Sequence, residues 1–490
     1  MSPSTSTTAT TSPPSFEDLG VQPLINCMGT YTILSGSRLI GPAAEAMVKA
    51  SNHYINMDEL MEKVGQRLAE LTGAEWGYIT CGCAAALTQI AAAAMAGANP
   101  ERMVRLPDTT GMKDEVIIQK GHRNAYDYAV RMTGAEMIEV ETRADLKAAI
   151  SERTGLFLIT GDLEERGTIP VPEMIQVGRR HGIPSFVDAA AQRPDVPNRY
   201  LEMGADAVGY SGGKCLRGPQ ASGLVLGRKN LLKAAFLNGA PHHALGRPMK
   251  AGKEEVMGLL AAVEAWIQGR DHEAEWDMWE GYLNRIRSAV ADLPSMTFRT
   301  EEPGVANVAP TLILSWDPQV LNVDPEQVHA ELLEGDPPIA MHLLDEGLRV
   351  MPYMMEKGDA EIVAERLHEL LDNRPSREPE AERPPVADVS GVWHIEAEYV
   401  FGQSRHSITL QQEETELTGH YRSQYSRTDV QGNIKGDEIS FSTVLGCQAN
   451  KTTYTYTGTV EDDDTMSGRL DLGEFGEGTW RAERIGSLLP

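Results

Sequence analysis

The chain has 490 residues and carries 71 acidic against 44 basic side chains, a net charge of −27, with 41% hydrophobic and 6% aromatic residues. That length supports two or three domains with sizeable cores, and so acidic a surface argues against nucleic acid and anionic membranes as partners. No Lys/Arg-rich run offsets the acidity, and no stretch approaches the roughly 18 apolar residues of a membrane helix. Residues 1–15, MSPSTSTTATTSPPS, are polar and low in complexity and lack the basic and apolar regions of a secretory signal. They are expected to form a disordered arm on a cytoplasmic protein. The cysteines, Cys27, Cys81, Cys83, Cys215 and Cys447, are odd in number and lack metal-ligand spacing. They are expected to be reduced, buried thiols, with no metal site.

From residue 16 to about 270 short apolar runs alternate with helical patterns. TCGCAAALTQIAAAAM (80–95) opens with small residues on an alanine-rich helix. The free N–H groups of such a first turn, near Cys83 and Ala84, cradle phosphate. QKGHRNAYDYA (119–129) places His122 in a loop between a strand and a helix, where its ring can lie on a flat ligand. LFLIT (156–160), IPSFVD (183–188), ADAVGYS (205–211) and SGLVLG (222–227) read as strands, with helices over 172–181 and after Lys229. This alternation predicts an α/β domain with a mostly parallel sheet. Asp188 ends its apolar strand at the carboxyl edge of the sheet, where such folds build their sites. A carboxylate buried there needs a cationic partner. Then comes YSGGKCLRGP (210–219), with Lys214 in a glycine-rich turn and Ser211 just before it.

KEEVMGLLAAVEAWIQ (253–268) sets Val256, Leu259, Leu260, Val263 and Ile267 at helical spacing, a long helix leading into a smaller domain over 271–372. NRPSREPEAERPPV (373–386) has a linker's composition, and we place the linker at 373–387. Beyond it, in 388–490, the period changes to two. Trp393, Ile395, Ala397 and Tyr399 share one face of their run, as do Ile439, Phe441 and Thr443 of theirs. About eight such runs predict a small antiparallel barrel or sandwich.

Phosphate cradle, ring-stacking His122, strand-end Asp188 and then Lys214 fit pyridoxal 5′-phosphate (PLP). In that chemistry the lysine forms the Schiff base and moves the α-proton, and the aspartate keeps the pyridine nitrogen protonated. Ser211 is placed to add a hydroxyl to the phosphate, and the glycines beside Lys214 are expected to give it room to swing.

At these residues the chain resembles the fold-type I PLP enzymes, a PLP-dependent transferase fold. Within them it is similar to the branch of bacterial selenocysteine synthase (L-seryl-tRNA selenium transferase) and D-glucosaminate-6-phosphate ammonia-lyase. The matching stretches include LINCMGTYTILSGSRL (24–39), GTIPVPEMIQVGRRHGIPSFVDAAAQ (167–192) and GADAVGYSGGKCLRGPQASGLVLG (204–227), within a resemblance that covers about 16–370. The resemblance implies Lys214 as the Schiff-base lysine, Asp188 as the pyridine partner, amides near Cys83 and Ala84 with Ser211 at the phosphate, and a stacking His122. It implies that Arg247 reaches a neighbouring subunit's cofactor, hence a homodimer or higher homo-oligomer, and that Arg349 holds a substrate carboxylate. Glu164, in LEERGTI (163–169), departs from the Asn-Glu-x-Gly pattern of class V aminotransferases. The expected activity is that of a lyase on a small amino acid or amino sugar acid, by α-proton abstraction and β-elimination with ammonia release. A racemase, aldolase or aminotransferase reaction would use the same residues, and the acidic surface argues against a tRNA-linked selenium transfer.

Overall fold

The computed structural model describes residues 13–372, 374–375 and 383–485, so residues 1–12 of the expected arm and 373 and 376–382 of the expected linker lie outside the described residues. The chain divides into two compact units, the first ending at Ser376 and the second starting at Arg377. Among the described residues no helix is long and apolar enough to cross a membrane.

A seven-stranded sheet organises the first unit. Its order is Trp76–Thr80, Gly223–Gly227, Ala207–Ser211, Ser185–Asp188, Thr154–Thr160, Glu115–Gln119 and Glu136–Val140. The last five pair in parallel, and Gly223–Gly227 runs antiparallel to both its neighbours. Every residue of Thr154–Thr160 and Ser185–Asp188 is buried. A parallel sheet covered on both faces requires such unbroken apolar runs, which is why these strands do not alternate.

The helices carry their own start and stop signals. Val171–His181 has proline in its first turn together with Glu173, bases in its last turn, and Gly182 at φ 67° after it. Acids at the start and bases at the end complement the helix dipole, and glycine accepts the left-handed cap without a Cβ penalty. Cys83–Ala96 is buried along almost its whole length. Alanine makes this possible, because small side chains let it lie between the sheet and the helix Lys229–Leu237. Lys253–Gln268 forms over the expected residues and buries Val256, Leu259 and Val263.

A second core gathers the helices His272–Val290 and Asp359–Leu371 over an antiparallel sheet that includes Thr311–Ser315 and Gly347–Val350. Ile25 and Cys27, far away in sequence, also pack in it. They arrive because Ile25–Asn26 pairs in parallel with Ile339–Ala340.

The second unit is a closed eight-stranded antiparallel barrel from Gly391–Glu398 to Glu477–Arg484. Trp393, Ile395, Ala397, Ile439, Phe441 and Thr443 all turn inward and are buried. The period of two selected the right face.

Candidate active site

Two strands of the large sheet, the turn that follows one of them and the start of a helix deliver side chains to one cavity of about 340 Å³. Lys214, Asp188, Ser211, Cys83 and Ala84 all line it. Asp188 is the last residue of its strand and Ser211 of the neighbouring one. The helix Cys83–Ala96 starts beside them with no side-chain cap on its N-terminus. Its first-turn N–H groups have no intrahelical acceptor and suit an anion there. Gly223 clears the approach, since a Cβ there would come within 2.6 Å of the Gly82 carbonyl carbon and 2.9 Å of the Cys83 nitrogen.

Asp188 is buried, and burial pushes its carboxyl above the usual carboxylate range against the pull of Cys83, Lys214 and the Ala190 amide. Cys83 Sγ donates to Asp188 Oδ1 at 3.2 Å, and Ala190 N donates to the same oxygen at 3.2 Å. Burial and the Asp188 charge raise the Cys83 thiol well above its ordinary value, so it is a neutral donor. Among the described residues no donor reaches Oδ2. The Lys214 amine is half-buried and likewise makes no hydrogen bond or ion pair with a described residue. A buried carboxylate with one oxygen unmatched, an unengaged lysine amine and an uncapped helix N-terminus are the three contacts PLP asks for: ring nitrogen, aldehyde carbon and phosphate. The residues present fit the group.

The glycines before Lys214 serve a different purpose from the one expected. A Cβ on Gly212 would lie 2.0 Å from Ser222 Oγ, and one on Gly213 would lie 2.2 Å from Gln220 Oε1. They let the turn pack against Gln220 and Ser222, just before the following strand, and neither has positive φ. Close packing, not free space, explains them.

Three expected residues lie outside the cavity lining. His122 is fully buried, neither ring nitrogen has a hydrogen-bond partner among the described residues, and burial lowers its pKa. Tyr126 of the same loop lines the cavity. Arg349 sits on Gly347–Val350 and pairs with Glu301 at 3.4 Å, while Met351 and Tyr353 just beyond it reach the cavity. Arg247 is also away from the lining. The cysteine expectation needs one correction: all five are free, but Cys447 is exposed and Cys81 only partly buried.

The structure adds residues that the sequence reading passed over. Thr30 Oγ1 lies 2.7 Å from Tyr353 Oη, joining chain positions 323 residues apart at the cavity wall. Burial pushes the Tyr353 phenol up to about 12. Asn307 and Gln220 complete the wall. Asp162 follows the strand Thr154–Thr160 and accepts from Ala191 N at 3.0 Å, while its buried Oδ1 has no hydrogen-bond partner among the described residues. Burial, with the nearby Asp188 charge, raises it to about 7 against the pull of Lys214. The rule that singled out Asp188, an acid closing an apolar strand, applies equally to ITGD and was available in the sequence. Nothing local pointed to Thr30 or Tyr353.

The aminotransferase class-V family model matches residues 43–250. A 5′-C-glycyluridine monooxygenase-decarboxylase from a Streptomyces species is 31% identical over 374 residues, 73% of this chain and 92% of that protein. The D-glucosaminate-6-phosphate ammonia lyase of Salmonella typhimurium is 28% identical over 372 residues, 73% of this chain and 98% of that one. A solved structure of D-glucosaminate-6-phosphate ammonia-lyase superposes with a TM-score of 0.66 at 27% identity, covering 74% of this chain and 99% of that one. With the sheet-edge lysine, the buried aspartate and the helix N-terminus on one cavity, these likenesses lead to one conclusion: the chain belongs to the class-V aminotransferase family, the PLP-dependent enzymes of fold type I.

Proposed function

We propose that this enzyme is a lyase that removes the α-proton of a small β-hydroxy amino acid or amino sugar acid and eliminates the β-hydroxyl. The observation that carries the reading is the Lys214 amine, which no described residue engages, on the same cavity as the half-satisfied carboxylate of Asp188. Bound PLP supplies a sink for the electrons released at the substrate's α-carbon. The chain's own groups do the rest. Lys214 Nζ holds the cofactor and carries the α-proton. Asp188 Oδ2 holds a proton on the ring nitrogen. The N–H groups of Cys83 and Ala84 with the Ser211 hydroxyl hold the phosphate. Tyr126, Asn307 and Tyr353 wall the substrate side and exclude water. The net reaction is redox-neutral: water leaves, the released enamine tautomerises to an imine, and water returns on its hydrolysis to ammonia and a 2-keto acid.

The similarity to an ammonia lyase over 98% of that protein supports elimination. A second reading rests on the relative described as a monooxygenase-decarboxylase. Oxygen would then be consumed and carbon dioxide released. We further propose a cytoplasmic homo-oligomer of at least two chains, acting on small molecules and not on nucleic acid or membranes. Arg247, which forms no ion pair among the described residues, would meet a neighbouring subunit there.

The test is a screen of D- and L-β-hydroxy amino acids with ammonia, keto acid, oxygen and carbon dioxide all measured. Ammonia and keto acid in equal amounts, without oxygen uptake, are expected. Oxygen-dependent decarboxylation would replace the lyase reading by the second one. Borohydride reduction and peptide mapping should place the pyridoxyl group on Lys214, and a label on another lysine would refute the site.

A further inference from the structure

An elimination of the kind proposed above needs two groups in opposite protonation states at once. Lys214 must be neutral to take the α-proton, so at that moment it is not an acid. The departing β-oxygen needs one, because hydroxide leaves poorly unless a proton meets it as the Cβ–O bond breaks. Most polar side chains on the cavity are already committed. Cys83 donates to Asp188. Asn307 is engaged in its own loop, with Nδ2 donating to Ala309 O at 2.8 Å and Oδ1 accepting from Val308 N at 2.7 Å. Ser211 is assigned to the phosphate. Tyr31 and Tyr126 are 49% and 59% exposed, where water competes for their protons.

The hydroxyl pair of Tyr353 and Thr30 is different. Both residues line the cavity, and both are only partly buried. Thr30 Oγ1 lies 2.7 Å from Tyr353 Oη, and Thr30 N donates to the same phenol oxygen at 3.3 Å. Two hydroxyls share one hydrogen bond, and only one of their two protons can lie in it. The other proton has no acceptor among the described residues. If Thr30 donates, the phenol proton is left over; if Tyr353 donates, the threonine proton is left over and the phenol proton follows through it. The ring is also held in place. A Cβ on Gly29, at φ 101°, would come within 2.8 Å of Met351 Sδ and 3.0 Å of Tyr353 Cε1, so glycine's left-handed backbone lets the chain close on the phenol. Trp279 meets the same ring edge-on at 6.5 Å. Burial pushes the phenol up to about 12, so it keeps its proton at physiological pH. It is still a stronger acid than water, at about 15.7 in bulk, so giving its proton to a leaving hydroxide is downhill.

We propose that Tyr353, with Thr30 beside it, is the acid that protonates the departing β-oxygen. This rests on the elimination reading and adds the group that Lys214 does not supply. The Cα–H bond breaks, and its proton goes to Lys214 Nζ. Its electron pair becomes the second bond between Cα and Cβ. The Cβ–O pair stays on oxygen, which takes the Tyr353 proton, directly or through the Thr30 hydroxyl, and departs as water. Lys214 then holds one proton more and Tyr353 one fewer, and exchange with solvent restores both. The step needs no oxidant or reductant. Separate groups of well-separated acidity thus serve as base and acid, as general acid–base catalysis requires. The arrangement matters only for a leaving group that must be protonated.

The test uses the full-length, PLP-loaded protein with D- and L-serine and with D- and L-β-chloroalanine, whose chloride leaves without a proton. Initial rates of pyruvate and ammonia release are compared for the parent, Tyr353→Phe, Thr30→Val and Thr30→Ser. The parent should turn over one isomer of each compound. Tyr353→Phe, which keeps the ring and its packing, should lose about a hundredfold or more in kcat with serine, and the loss with β-chloroalanine should be at least about tenfold smaller. Thr30→Val should lose less than Tyr353→Phe with serine, and Thr30→Ser, which keeps the hydroxyl, should recover most of the rate. In Tyr353→Phe the α-deuterium of labelled serine should still exchange into water, followed by NMR, and the visible absorption of the bound PLP should match the parent's. Equal losses with both leaving groups, or an undiminished serine rate in Tyr353→Phe, would overturn the proposal and leave the elimination reading standing, with Lys214 returning its proton to the oxygen. A parent that expels chloride but not hydroxide would overturn it as well. A parent that eliminates neither would overturn the elimination reading and this proposal with it.

Discussion

Replacing Asp162 by Asn should change the pH dependence of stability in the cofactor-free protein. The Asp162 carboxyl is raised from 3.8 to about 7, chiefly by burial and then by Asp188. In the unfolded chain it ionises near its ordinary value, about 3.9. Between those two pH values the folded state holds a proton that the unfolded state has lost, so stability falls as pH rises. Below about pH 4 both states are protonated and the penalty is absent; above about pH 7 it is complete. Three pH units correspond to about 4 kcal/mol. Asp162 is only partly buried, which trims the figure to about 2–4 kcal/mol. Asparagine is close in shape, keeps an acceptor for the Ala191 amide and has no charge to desolvate. Asp162→Asn should therefore match the parent near pH 4.5 and exceed it by about 2–4 kcal/mol at pH 8. Urea unfolding of the cofactor-free protein, followed by circular dichroism at several pH values, measures the difference. A gap that stays flat from pH 5 to 8, or a variant no more stable than the parent at pH 8, would refute this account of the site's electrostatics.

Cys83→Ala removes one of the two donors to Asp188 Oδ1 and should cost about 1–2 kcal/mol in urea unfolding at pH 8, while Cys83→Ser, which keeps a donor, should cost less. Gly212→Ala drives a Cβ to 2.0 Å from Ser222 Oγ and should lose about 1–3 kcal/mol of thermal stability together with PLP occupancy, whereas Gly41→Ala, with nothing within 4 Å, should change neither. A chain ending at Asp372 should remain soluble and bind PLP, because the first unit has its own two cores. Aggregation of that piece on gel filtration would show that the barrel is needed for its packing.

Sequence alone determined the elements whose cause is local. Unbroken apolar runs gave the buried strands, proline and glycine punctuation gave the helix ends, and a change of period to two gave the barrel with its inward face. Lys214, Asp188, Ser211 and the start of the helix at Cys83 were legible for the same reason: each is a strand end or a helix N-terminus, and the rule that sites gather at the carboxyl edge of a parallel sheet brings them together without further information. Tertiary structure decided what depends on distance in the chain. Thr30 meets Tyr353 where Ile25–Asn26 pairs with Ile339–Ala340 and the Met351 N–H donates to the Cys27 carbonyl, and no local pattern encodes those contacts. His122 is passed over for Tyr126 because a loop's side-chain directions are set by what packs behind it. The glycines beside Lys214 answer to Ser222 and Gln220 across the turn, and Asp162 acquires its raised pKa from neighbours that its own strand does not supply. Propensity and periodicity act over a few residues, whereas burial, electrostatic coupling and steric fit act through space, and the chain must fold before those neighbours exist.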